Sequence, residues 1–467
     1  MSSERTILAR EALPETSLEA QEPGLQAPAL ASAAGRPHHI VIVGGGAGGL
    51  VLATRLGNSL GRRGQARITL VDAVLTHVWK PLLHEIAAGT LRTEIDSTDY
   101  LAQARAHHFA FALGRMTGLD RRQREIILDP IKDAAGSEIV PGRRLSYDTL
   151  VLAVGSALND FGVPGVSEHA LYLETHAEAE RIRQRIFNLL LRNHTSGHTE
   201  RRPLRFAIVG AGATGVEFAA ELCHAARQMV SYGLSGIDPH KDIRITLIEA
   251  APRVLPALPE RLQEATEREL RELGIEVRTG VQVAEVTADA VRTSSGEILS
   301  ADLVVWAAGV KGPSFLAGLD GLEVNRLNQL VVDQSLRTTR DPDIFALGDC
   351  AACPQPGSER PVPPRAQAAH QQAYLLAKSL GGRLKGKEPL PFVYKDYGSL
   401  ISLSNSTVGN LMGNLFKSIT IEGRLARLAY LSLYRKHQLA LHGLPWVILT
   451  ALSDLVQRRI RPHLKLH

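Results

Sequence analysis

Apolar positions cluster along this chain in short, unbroken runs. Ile40-Val41-Ile42-Val43, Ile68-Thr69-Leu70-Val71, Phe206-Ala207-Ile208-Val209 and Ile245-Thr246-Leu247-Ile248 have the length and β-branched content of strands buried on both faces. The first and third run straight into glycines and then into a helical pattern, so two βαβ units of one type are predicted, the second starting about 165 residues after the first. Leu303-Val304-Val305-Trp306 and Ile344-Phe345-Ala346-Leu347 are further buried-strand candidates that each run on to a glycine. The fold class expected is α/β, with two Rossmann-like doubly wound domains and a separate C-terminal segment. Residues 1–37, with Pro14, Pro23, Pro28 and Pro37 and no sustained apolar period, read as a flexible tail.

Length and composition narrow the class. A chain of 467 residues, 44% hydrophobic and 22% charged, is long enough for several domains and too apolar to be mostly disordered. Its net charge of +5 gives nucleic-acid binding no support. Three cysteines, Cys223, Cys350 and Cys353, cannot build a disulfide framework, and no metal site is expected, because Cys350-Ala351-Ala352-Cys353 is a lone C-x-x-C without a second pair. The start of the chain has no secretory h-region, and no apolar run is long enough to span a bilayer, so a cytosol-facing protein is expected.

Both glycine clusters carry chemistry. Gly44-Gly45-Gly46-Ala47-Gly48-Gly49 fits G-x-G-x-x-G through Gly44, Gly46 and Gly49. The first glycine allows a tight turn, the second lets backbone approach a pyrophosphate, and the third packs helix on strand. Asp72, 23 residues after Gly49 at the end of the next strand, is placed to accept from ribose hydroxyls. The second copy is Gly210, Gly212 and Gly215 with Glu249, whose 34-residue gap is lengthened by the polar stretch from Ser231 to Asp242. A carboxylate at Glu249 favours NADH, because it would repel a 2′-phosphate, with Arg253 nearby in sequence as an opposing charge. Two dinucleotide sites in one chain imply hydride chemistry between a nicotinamide and a flavin.

Further motifs specify the family. They are Lys80-Pro81-Leu82-Leu83-His84-Glu85 with Ala87-Ala88-Gly89-Thr90, Tyr147 to Ser156, Gly215-Val216-Glu217, Asp343 to Cys350, and Ala366-Gln367-Ala368-Ala369-His370-Gln371. On these residues, from about His39 to His467, the chain resembles bacterial type II (non-proton-pumping) NADH:quinone dehydrogenases of the two-dinucleotide-binding flavoprotein superfamily. Val154 departs from the threonine common there, which leaves the backbone role intact.

The resemblance implies non-covalent FAD on Gly44, Gly46, Gly49, Asp72, Lys80 and Asp349, and NADH as substrate on Gly210, Gly212, Gly215 and Glu249. It divides the chain into an FAD-binding domain (38–165 and 321–395), an NADH-binding domain (166–320) and a membrane-anchoring segment (396–467). Glu217 is expected beside the nicotinamide as an orienting or proton-moving carboxylate; its alternative use is to complement a helix dipole. Gly309 suits close approach of the nicotinamide to backbone. Gln367 and Gln371, four apart on one helical face, are expected to hydrogen-bond a quinone, ubiquinone or menaquinone, with His370 as proton donor. Lys417 either approaches the flavin or is solvated.

The C-terminal segment carries Arg424, Arg427, Arg435, Lys436, Arg458, Arg459, Arg461 and Lys465 against Asp454 alone. Thr450, Ser453, Asp454, Gln457 and Arg461 form a narrow polar stripe opposite Ile448, Leu449, Leu452, Leu455 and Val456. An apolar helix face flanked by basic residues fits an anionic membrane surface, here the cytoplasmic face of the inner membrane; packing on the protein's own core or on a second copy is the other use of such a face. Two other functions are weighed against the dehydrogenase. One is a sulfide:quinone oxidoreductase using Cys350 and Cys353, and the other is an NADH-binding flavoprotein module without fast turnover. A redox disulfide near the first helices is excluded, because no cysteine precedes Cys223.

Overall fold

The computed structural model describes residues 36–91, 97–195, 202–231, 238–403, 406–413, 416–422, 432, 435 and 437–460, without side chains at 230–231, 406–422 and 454–460. The tail to residue 35, the side chains of Lys417, Asp454, Arg458 and Arg459, and the other basic residues named in the last segment except Arg435 therefore lie outside the described residues. Contacts separate Met1–Pro37 from a unit of His38–His467, and the second is described below.

The strands that build the two main sheets are β1 (His38–Val43), β2 (Ala66–Asp72), β3 (Ala110–Leu113), β4 (Thr149–Leu152), β5 (Ala170–Tyr172), β6 (Leu204–Val209), β7 (Ile243–Glu249), β8 (Glu276–Thr279), β9 (Leu303–Trp306) and β10 (Ile344–Ala346). The principal helices are α1 (Gly49–Leu56), α2 (Leu83–Ala88), α3 (Ala213–Ser231), α4 (Ala366–Arg383) and α5 (Leu444–Ile460). One five-stranded sheet has the order β10-β4-β1-β2-β3 and the other β5-β9-β6-β7-β8. All their pairings are parallel, as the unbroken apolar runs predict.

The two sheets are copies of one plan. In each, the first strand of the unit sits at the centre, the second and third extend to one side, and the fourth returns to the other. Between third and fourth each inserts a three-stranded antiparallel meander, at 116–146 in one and 283–300 in the other. The edge strand breaks the symmetry, since β5 precedes its unit while β10 arrives nearly 200 residues after β4. The second sheet is thereby inserted into the chain of the first.

Register explains where ligands go. Val43 pairs with both Leu152 and Val71, so β1, β2 and β4 end level and the turns at residues 44, 72, 153 and 348 gather at one carboxyl edge. That edge is where open α/β sheets bind ligands. Ile40, Val41, Ile42 and the apolar face of α1 are fully buried on the first sheet, and Phe206, Ile208, Leu247 and Phe218 on the second.

The C-terminal part differs from the single amphipathic segment read from the sequence. Its first portion is an antiparallel sheet of β11 (Gly398–Leu403), β12 (Ser406–Gly413) and β13 (Phe416–Glu422). Only α5 matches the amphipathic reading, and among its described side chains Leu444, Ile448, Leu449 and Leu452 are exposed, so at these positions the face does not pack on the protein's own core.

Candidate active site

The two glycine loops adopt the same geometry. Gly44 and Gly210 have φ of +100° and +104°, a conformation only glycine adopts without strain. A Cβ on Gly49 or Gly215 would lie 1.8 or 1.9 Å from the carbonyl oxygen of Gly44 or Gly210, so helix and turn are in direct backbone contact. By contrast, nothing lies within 4 Å of a Cβ at Gly46 or Gly212, and here each loop is open. An open middle glycine beside a helix start is a cradle for a pyrophosphate, and both loops fit the dinucleotides expected of them.

The acid after each loop locks it. Asp72 Oδ2 accepts from Gly45 N at 2.6 Å, and Glu249 Oε2 accepts from Ala211 N at 2.7 Å. Val74 N and Ala251 N donate to the other oxygens at 3.1 and 2.9 Å. Burial raises Asp72 above its usual range, with these N–H donors acting against it. Tyr100, which the motifs do not reveal, donates its hydroxyl to Gly45 O at 2.9 Å and closes the first loop from outside. Arg253 is turned away onto Glu260 and Glu264, at 2.5 and 3.1 Å.

A third group gathers after β4 and β10. Lys80 Nζ donates to Ser156 O at 3.3 Å, and Ser156 Oγ donates to Asp349 Oδ2 at 3.0 Å. Asp349 is raised by burial, and Lys80 draws it down. Gln372, one residue past the motif read on α4, is buried and accepts from Gly348 N at 2.7 Å, which fixes the turn carrying Asp349. Lys80 and Asp349 are thus brought together at the edge that holds Gly44 and Asp72.

Glu217 sits in the second turn of α3, beyond the reach of a dipole complement. Its Oε1 accepts from Ser402 N of β11 at 3.0 Å, and Oε2 is 3.7 Å from His84 Nδ1. Burial pushes Glu217 up to about 8 and His84 down to about 4. Near pH 7 both are therefore neutral, and their contact is not an ion pair despite its distance. His84 belongs to the Lys80–Glu85 motif, so this short segment touches the Asp349 group at one end and Glu217 at the other.

On α4, Gln367 and Gln371 do share a face, and the structure gives both amides backbone partners. Gln367 Nε2 donates to Gly398 O at 3.0 Å and its Oε1 accepts from Tyr397 N at 3.2 Å. Gln371 Nε2 donates to Lys395 O at 2.8 Å and its Oε1 accepts from Lys395 N at 3.0 Å. Together they clamp residues 395–398 onto the helix. His370 turns instead to a partner outside every motif, with its Nε2 2.9 Å from His437 Nδ1. His437 Nε2 is in turn 3.1 Å from His77 Nε2, and the Trp79 ring lies 3.9 Å from that of His437. Gly309 follows β9 with φ +64°.

Comparison with known proteins gives this arrangement a class. Residues 38–373 match the family described as pyridine nucleotide-disulphide oxidoreductase, and the chain belongs to it. Over 444 residues it is 44% identical to the type II NADH:quinone oxidoreductase of Haemophilus influenzae, covering 92% of this chain and 100% of that protein. It is 30% identical over 418 residues to the type II NADH:quinone oxidoreductase NdhA of Mycobacterium tuberculosis, covering 86% and 84%. Within the wider family the chain therefore belongs to the type II NADH:quinone oxidoreductases. The structure of NDH2 from Plasmodium falciparum in complex with NADH has the same fold, with TM-score 0.77 at 21% identity over 92% of this chain and 100% of that one. The disulphide of the wider family's name has no counterpart here, since all three cysteines are free.

Proposed function

We propose that this chain catalyses the oxidation of NADH and the reduction of a membrane quinone, giving NAD and quinol without proton pumping. The observation that carries it is the Lys80–Glu85 segment, which links the two dinucleotide-binding units: Lys80 donates to Ser156, which holds Asp349, and His84 lies against Glu217. Bound non-covalently by the first loop, FAD supplies the two-electron chemistry between the two substrates.

The chain's own residues divide the remaining work. Gly44, Gly46, Gly49 and Asp72 hold the pyrophosphate and ribose of FAD, and Lys80 and Asp349 flank its flavin end. Gly210, Gly212, Gly215 and Glu249 hold NADH, and Gly309 ends the β9 side of the loop, where its nicotinamide half extends. Glu217, neutral near pH 7, holds a proton beside that ring, and Ser402 N keeps its carboxyl in place. The quinone, ubiquinone or menaquinone, is taken at the rim of α4, where Gln367 and Gln371 hold the wall formed by residues 395–398 and His370, paired with His437, is the proton donor.

The exposed apolar face of α5 supports attachment to an anionic membrane surface, on the cytoplasmic side of the inner membrane where NADH is available. A second copy of the chain is the other partner that such a face fits. Among the described residues no helix is long and apolar enough to cross a membrane. A sulfide:quinone reaction is disfavoured, because Cys350 and Cys353 are buried and burial pushes both thiols up to about 12, away from the thiolate that sulfur transfer needs.

Steady-state NADH consumption by the yellow protein, with a short-chain quinone as acceptor and sulfide as the competing donor, tests the reading. Quinone-dependent oxidation of NADH is expected, and turnover with sulfide but not NADH would replace it.

A further inference from the structure

Phe161 occupies a backbone position that its side chain disfavours. Its φ is +53°, in the left-handed region where a bulky residue is strained, yet the residue is 62% exposed and has no core burial to offset that strain. The surrounding turn holds it there. Phe161 N donates to Asn159 Oδ1 at 3.1 Å, Val163 N donates to Asp160 O at 3.0 Å, and Asp160 pairs with Lys311 at 3.2 Å. Asn159 is fixed in turn to the end of β9, because its carbonyl accepts from Trp306 Nε1 at 2.9 Å and its N–H donates to Gly309 O at 3.3 Å. The result is a ring laid on Gly309, where an added Cβ would lie 2.4 Å from Phe161 Cζ.

Sheet order says which half of a dinucleotide reaches this ring. The Gly210 loop follows the central strand β6, Glu249 ends β7 on one side, and Gly309 follows β9 on the other. With the pyrophosphate on the central loop and the adenosine ribose at Glu249, the half that extends over β9 is the nicotinamide. Ala308 abuts Gly210 directly, at 2.7 Å from a Cβ built there, so the path from loop to Phe161 is short.

We propose that Phe161 is a binding residue for the nicotinamide half of NADH, its exposed ring forming an apolar wall above Gly309 against which that half packs. The inference rests on the reading that the second glycine loop takes NADH. An aromatic face offers a planar, poorly hydrated surface to a planar ring, and the hydrogen-bonded turn fixes the backbone that carries it.

The test separates the halves of the substrate by comparing NADH with ADP-ribose, which lacks the nicotinamide, on the FAD-loaded full chain. F161A should raise KM for NADH about tenfold and leave the inhibition constant of ADP-ribose within about twofold of wild type. F161Y should restore the wild-type KM. F161L, which keeps apolar bulk without a ring, carries the same comparison if the alanine variant does not fold. An unchanged KM for NADH, or equal weakening of NADH and ADP-ribose, would overturn the proposal. Failure of ADP-ribose to compete with NADH in the wild type would instead overturn the reading of the second loop, and the proposal with it.

Discussion

His437 Nδ1 lies 2.9 Å from His370 Nε2, although 67 residues separate them. Through His437 the C-terminal part is joined both to the helix of the proposed quinone rim and, by His77, to the strand region beside the first glycine loop. Burial pushes His77 down to about 4 and His437 well below its ordinary value. An unfolded chain takes up protons on these rings near pH 6.5 and the folded chain does not. Their contribution to stability is therefore complete above about pH 6.5 and is lost as the pH falls towards 4. Thermal melts of the FAD-loaded protein should show Tm falling across that window. H437F, which keeps a ring and removes both nitrogens, should flatten the fall and slow quinone reduction more than the NADH-dependent bleaching of the flavin.

The neutral Glu217 makes the opposite prediction. Its pKa of about 8 is raised by burial, so the folded state prefers the protonated form. That contribution is complete below the ordinary carboxylate range and is lost as the pH rises towards about 8. E217Q, isosteric and always neutral, should gain stability over wild type as pH rises from 5 to 8, by an amount on the order of a few kcal/mol. If Glu217 holds a proton beside the nicotinamide, the rate of NADH-dependent bleaching should fall in wild type above about pH 8 and lose that break in E217Q. Parallel pH profiles would remove Glu217 from the reaction.

Glu249 is expected to set cofactor choice. Its two oxygens hold Ala211 N and Ala251 N, so a carboxylate is fixed beside the loop and cannot swing away from a 2′-phosphate. Wild type should prefer NADH to NADPH by about a hundredfold or more in kcat/KM. E249Q, which keeps an acceptor and drops the charge, should narrow the ratio. Comparable kcat/KM for the two cofactors in wild type would refute the assignment.

The exposed face of α5 should bind lipid. Leu449 and Leu452 are 66% and 58% exposed, and burying each in an interface contributes roughly 1.5 to 3 kcal/mol. Replacing both with glutamate should lower binding to vesicles containing anionic lipid at least about tenfold, with the FAD content unchanged. Unchanged vesicle binding accompanied by loss of a dimer in sedimentation would identify a second copy as the occupant of this face.

Much of the fold is legible in the sequence because a parallel strand buried on both faces writes an unbroken apolar run, and Ile40 to Val43 and Phe206 to Val209 are such runs. The glycine loops are legible because backbone geometry leaves no substitute at Gly44 or Gly49. The antiparallel insertions are less so: the hairpin strand Glu138–Val140 and the meander strand Ile298–Ser300 are short and largely exposed, and their pattern is that of surface loops. Residues recruited from far along the chain leave no local signal. Tyr100 reaches Gly45 over 55 positions, and His437 reaches His77 over 360. Gln367 and Gln371 were legible as one helical face, but their engagement with residues 395–398 depends on where the following segment returns.

Anaerobic stopped-flow of the FAD-loaded protein tests the central claim most directly, with NADH mixed first and a short-chain quinone second. Rapid bleaching of the flavin absorbance by NADH, followed by rapid recovery on adding quinone, is the result predicted. Bleaching by NADH with no recovery on adding quinone would contradict it and leave an NADH-binding flavoprotein without the second half of the reaction.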